Sequence, residues 1–154
     1  MYSFEFYLKL GFEHIANLNG HDHILFLIAL CAVYNISQLK KILLLVTAFT
    51  LGHCVTLFMV SFDFFSIPTR IIKGLIPATI AITSLNNILG NRQTKKDFDN
   101  NYFFALFFGF IHGMDFSNYF KALIMSVDEI IVPLFGFNVG IEVGQLLVVF
   151  FIIA

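Results

Sequence analysis

The chain has 154 residues, of which 58% are hydrophobic and only 12% charged, and its mean hydropathy is +0.86. A soluble domain carries about 25% charged residues, so a water-facing globule is excluded, and the composition predicts one integral membrane domain over residues 1–154. The formal net charge of −1 leaves no electrostatic footprint for nucleic acid.

Residues 1–18 come first. Glu5, Lys9 and Glu13 follow at four-residue spacing and share one helix face, while Tyr2, Phe4, Phe6, Leu8 and Phe12 fill much of the remainder. This pattern predicts an amphipathic helix lying in the membrane interface, followed by a break. MYSFEFYLKLGF lacks a basic start, a compact apolar core and a small-residue cleavage site, so no cleavable signal peptide is expected. The transmembrane bundle then occupies residues 21–154.

A bilayer core of about 30 Å needs roughly 20 apolar helical residues. Five segments are predicted to cross: a short one from His21 to about Ile36, then Lys40–Phe62, Pro68–Gly90, Tyr102 to about Leu123, and Ile130 to the end. Pro68 suits a helix start, and Pro77 predicts an interior kink. NRQTKKDFDNN reads as a polar linker, and there is no long repeat. The fold class is therefore all-α: a polytopic membrane helix bundle of about five transmembrane segments plus the amphipathic helix. Cys31 and Cys54 fall in apolar runs and read as reduced core residues. The linkers after the first and third segments carry Lys40, Lys41, Arg92, Lys95 and Lys96, against Lys9, Arg70, Lys73 and Lys121 on the other side. By the positive-inside rule the N-terminus lies outside.

Ionisable groups in hydrocarbon are costly and usually face a bundle interior. HIANLNGHDH places His14, His21, Asp22 and His23 within ten residues. In one unbroken helix His14 and His23 point to opposite sides. Asn17, Asn19 and Gly20 are turn and cap residues, so a break there lets His14 fold back beside Asp22 and His23 at the next helix N-terminus, where Asp22 suits the positive dipole end. His21 reads as interfacial. His53, with Thr50 three residues before it, lies mid-way along the second segment. His112, with Asp115 three residues on, lies mid-way along the fourth. Asn138, Glu142 and Gln145 form one narrow stripe on the fifth. Gly136, Gly140 and Gly144 lie broadly opposite that stripe, giving a packing face for a helix within the chain or for a second copy in a homo-oligomer. Gly109 and Gly113 repeat the spacing around His112.

Taken singly, each membrane histidine is more often an interhelical hydrogen-bonding residue than a ligand. Convergence changes the balance: several helices each bring one imidazole or carboxylate to similar depth, and a shared divalent cation would satisfy groups that are expensive to bury alone. The candidate metal set is His14, Asp22, His23, His53, His112 and Glu142, supported by Asn138, Gln145, Thr50 and Asp115, with no catalytic residue assigned.

HIANLNGHDHILF, TAFTLGHCVTL, FFGFIHGMDFSNYF and FNVGIEVGQ, in this order, resemble the HupE/UreJ family of bacterial membrane proteins, over nearly the whole chain from about Lys9. The resemblance implies a nickel or cobalt permease of the bacterial inner membrane. Its first motif corresponds to His14, Asp22 and His23, and its later ones to His53, His112, Glu142 and Gln145. The chain departs from the better-known pattern in three residues or spacings. Seven residues rather than a shorter gap separate His14 from Asp22, Asp115 stands where a small residue is usual, and Lys73 stands where an acid is common. Members commonly carry a further span.

Imidazole plus carboxylate suits nickel, cobalt and zinc, and affinity order alone does not select among them. The leading function is a divalent-metal permease. The alternative is an intramembrane zinc-dependent hydrolase, with three ligands, an open water position and Glu142 or Asp115 as base, although no HExxH signature is present. A metal-stabilised, non-catalytic component is the third reading.

Overall fold

The computed structural model describes residues 3–17, 21–89, 95–124 and 129–153, with the backbone alone for 95–100. These residues form six helices and no strand: α1 Phe4–Ala16, α2 His21–Cys31, α3 Leu39–Ser61, α4 Thr69–Leu89, α5 Lys95–Leu123 and α6 Ile131–Ile153. A 3₁₀ turn at Ile36–Gln38 leads into α3. Three stretches are long and apolar enough to cross a membrane among the described residues: Ile36–Ser61, Thr69–Leu89 and Ile131–Ile153. That is fewer than the five segments expected to do so individually. The predicted first segment stops at Cys31, and at 11 residues α2 is too short to cross alone. α5 starts at Lys95, within the stretch that reads as a linker. Hydropathy marks the lipid-facing part of a helix, whereas the hydrogen-bonded backbone continues past it. α4 is continuous through Pro77.

Ser3 caps α1, its hydroxyl accepting from the Phe6 amide at 3.3 Å. The Lys9–Glu13 ion pair, at 3.6 Å, confirms the polar face. The opposite face is not free to lie in the interface. Tyr7, Gly11 and Ile15 are buried, and α1 docks along α6 in the same direction. Gly136 meets Phe4 and Tyr7, Gly140 meets Leu8 and Phe12, and Gly144 meets Phe12 and Ile15. The amphipathic helix thus has its apolar face packed on the bundle. The Gly136/Gly140/Gly144 face is filled by α1 of the same chain. Small residues allow such backbone approach, which is the main source of helix attraction where lipid is as apolar as leucine.

α2 continues the path. Leu27 and Cys31 share a buried cluster with Val149 of α6 and with Ile42 and Val46 of α3, so the two short helices follow one another along α6. At 1.5 Å per residue they measure about 20 Å and about 16 Å, together enough to cross a bilayer as one discontinuous span. Phe4 and Phe135 pair at 6.1 Å, Tyr7 donates to the Leu123 carbonyl, and Lys121 pairs with Asp63. One end of the bundle therefore holds the starts of α1 and α6 and the ends of α3 and α5. The other end holds the ends of α2 and α4 and the start of α5. There Asn87 donates to the Ala29 carbonyl at 2.5 Å and Asn101 to the Tyr34 hydroxyl at 2.8 Å.

α3 and α5 form a second parallel pair. A Cβ on Gly52 would lie 2.1 Å from the Leu106 carbonyl oxygen, and one on Gly109 would lie 2.0 Å from that of Phe49. Neither position admits a side chain without moving backbone.

Candidate metal centre

The break between α1 and α2 puts His14 near the end of one helix and His23 in the first turn of the next. Their rings lie 4.6 Å apart, centre to centre. His53 comes from the middle of α3 and sits 5.5 Å from His14 and 6.0 Å from His23. One ring nitrogen from each of the three falls within 4.8 Å of the other two. Three nitrogens around a first-row ion at about 2.0–2.1 Å stand about 3.3 Å apart, so modest ring rotation closes the site. His112, from α5, adjoins this group with its ring 5.1 Å from His23.

The setting is aromatic. Phe116 and Phe137 stack at 4.8 Å beside His14, and Phe26 and Phe49 each lie 5.3 Å from His112. His53 and His112 are fully buried and His23 nearly so. His14 is half-buried as a residue, but its Nε2 is shielded. Within this box, His14 Nε2, His23 Nε2, both nitrogens of His53 and His112 Nδ1 have no hydrogen-bond partner. Leaving one buried polar atom unpaired costs about 1–3 kcal/mol, so several such atoms facing one another are not explained by packing. A shared cation would pair them.

His112 has a defined tautomer. Thr79 Oγ1 is 2.6 Å from the Ile76 carbonyl, which takes the hydroxyl proton, and 3.1 Å from His112 Nε2. Nε2 therefore donates to Thr79, and Nδ1 carries the lone pair. This is the arrangement by which an outer partner fixes which imidazole nitrogen is available to metal. Thr79 was not singled out in the sequence, because one threonine in an apolar run gives no signal until its partner is known.

The other candidates lie elsewhere. Glu142 faces α3, accepting from Thr47 and Thr50 hydroxyls at 2.6 Å each, and Gln145 Oε1 meets Thr50 at 2.7 Å. This oxygen-rich group bridges α3 and α6, and Thr50 stands one turn from His53. Asn138 donates to the Leu134 carbonyl of its own helix at 2.7 Å. Asp22, Asp115 and His21 are exposed. The structure thus joins His14, His23 and His53, sets His112 beside them, and holds Glu142, Gln145 and Thr50 in a neighbouring cluster.

A family model described as HupE / UreJ protein matches residues 1–154. The chain belongs to the HupE/UreJ family. No curated protein and no solved structure matches it. In this HupE/UreJ chain the matched length includes both halves of the broken helix and every histidine of the cluster.

Proposed function

We propose that this protein is a membrane permease for a divalent transition metal of the nickel or cobalt type, with the His14/His23/His53 cluster as its binding station. The observation that carries this reading is the meeting of three imidazoles from three helices, each with at least one buried nitrogen unpartnered. Neutral nitrogen ligands suit nickel, cobalt and zinc. They bind without the closed, fully charged cage that would prevent release.

Asp22, exposed in the first turn of α2 at the positive end of its dipole, draws the cation towards His23. His14, His23 and His53 replace water around the ion. His112, oriented by Thr79, offers Nδ1 as the next ligand. Glu142, held one turn from His53 through Thr50, supplies a negative charge that offsets the ion within the bundle. The N-terminus faces outside and the protein resides in the bacterial inner membrane. The hydrolase reading is weaker because, among the described residues, no carboxylate meets the three imidazoles as a base: Glu142 is engaged by Thr47 and Thr50, and Asp22 and Asp115 are exposed.

The test is uptake into proteoliposomes containing the full chain. Protein-dependent influx of nickel or cobalt that His23→Ala abolishes is the expected result. No influx of nickel, cobalt or zinc removes the permease reading, and cleavage of an intramembrane peptide by zinc-loaded protein would install the alternative.

A further inference from the structure

We propose a second, oxygen-donor station for a divalent cation beyond His112, lined by Thr83, Asn86, Asn87 and Asn101 and reached past Thr79. It rests on the permease reading and extends it by giving the ion a route from the imidazoles to one end of the bundle.

The argument starts on α4. Ile72, Ile76, Thr79, Thr83 and Asn86 recur at helical spacing and form one stripe. Ile72, Ile76 and Thr79 are buried. The stripe is aliphatic as far as Ile76 and polar from Thr79 onward. The change falls at the level of His112, where Thr79 Oγ1 takes the 3.1 Å contact from Nε2. One turn further, Thr83 donates to the Thr79 carbonyl at 2.8 Å, so its hydroxyl oxygen can only accept or ligate.

The stripe ends in a cavity of about 10 Å³, where Thr83, Asn86, Asn87 and Asn101 stand between walls formed by Leu30, Phe104 and Phe108. That is room for about one water molecule. Asn87 spends an N–H on the Ala29 carbonyl of α2, and Asn101 spends one on Tyr34. Two neighbouring segments thereby fix the amide planes. With Nδ2 of Asn101 committed to Tyr34, its carbonyl oxygen is the amide atom left for a ligand. Four polar side chains from two helices around a water-sized space form a site for one ion held by their oxygens.

The chemistry is graded. Hydroxyl and amide oxygens bind first-row ions more weakly than imidazole. Conduction needs sites weak and numerous enough for the ion to leave. An ion stepping from His112 to this pocket exchanges nitrogen for oxygen and water just before it reaches the end formed by α2, α4 and the start of α5.

The experiment uses the full chain with Cys31→Ala and Cys54→Ala, carrying single substitutions Thr83→Cys or Asn87→Cys. Ile82→Cys and Leu85→Cys, on the outward face of the same helix, serve as comparison. A small charged methanethiosulfonate is applied to both faces of the membrane. Only a hydrated thiol ionises and reacts, so Thr83→Cys and Asn87→Cys should label at least about tenfold faster than the outward pair, and nickel chloride should slow them. Thr83→Cys carries the test alone if loss of the bridge to α2 prevents Asn87→Cys from folding. Equal rates at inward and outward positions overturn the proposal, as does labelling that nickel leaves unchanged. Fast, nickel-protected labelling in vesicles whose unsubstituted protein takes up no metal would sink the permease reading and keep the station.

Discussion

In the α1·α6 pair, Gly11 faces the Phe137 carbonyl, Gly140 faces that of Leu8, and Gly144 faces Phe12 and Ile15. In the α3·α5 pair, Gly52 faces the Leu106 carbonyl, Gly109 faces that of Phe49, and Gly113 faces His53 and Thr56. The two sets correspond residue for residue, in direction and in which backbone atom is approached. What differs is the chemistry set into the common contact. Phe12 and Ile15 occupy in one pair the places that His53 and Thr56 occupy in the other. The glycines let the helices approach closely, and the positions beside them can then hold either an aromatic ring or an imidazole. The imidazole cluster draws on both pairs, with His14 from one, His53 and His112 from the other, and His23 from α2 between them.

If the two pairs are one packing unit used twice, Gly11→Val and Gly52→Val should do equal damage. Each puts a side chain about 2 Å from a carbonyl oxygen and should cost at least about 3 kcal/mol, read as lost expression and a lowered unfolding temperature in detergent. A Gly11→Val protein that unfolds like the parent would detach α1 from α6 and break the comparison. Gly144→Ala, whose nearest neighbour is 3.2 Å away, should be far milder.

The chemical difference between the pairs is sharpened at His53. His53→Leu should weaken nickel binding by more than the roughly 10–100-fold typical of losing an outer partner, and Thr79→Val should fall within that range, both measured by equilibrium dialysis. In the metal-free protein His53→Leu should leave stability unchanged or raise it, because two unpaired buried nitrogens are removed. Lost stability without lost binding would make His53 a packing residue like Phe12.

Thr50→Val tests the bridge between the pairs. It removes the hydroxyl between Glu142 and Gln145 and should destabilise by about 1–3 kcal/mol. The smallest effect is expected at Gly74, where an added Cβ meets nothing within 4 Å. Gly74→Ala should stabilise by up to about 1 kcal/mol through helix propensity alone, in contrast to every paired glycine.

Much of this was legible in the residues. The glycine spacing on α6 and the polar stripe opposite it announced two faces, and the structure fills one with α1 and the other with Thr47 and Thr50. The break at HIANLNGHDH announced that His14 and His23 could meet. Less legible was α1, whose aromatic residues look the same whether they lie against lipid or against a neighbouring helix. The correspondence between the two pairs was invisible as a repeat, because backbone-to-backbone contact constrains only the glycines and leaves the side chains around them free to differ.

The sequence by itself determined the solvent, the helical class and the stock of polar groups, since hydropathy and residue spacing act locally along the chain. Tertiary structure decided which of those groups became neighbours: it drew His14, His23 and His53 together, turned Glu142 to α3, left Asp22 outside, and aligned Thr79 with His112. The physical reason is that glycines packed too closely to admit even a Cβ fix the rotation and register of whole helices, and a part-turn of rotation or a one-turn slip would send each imidazole to a different partner.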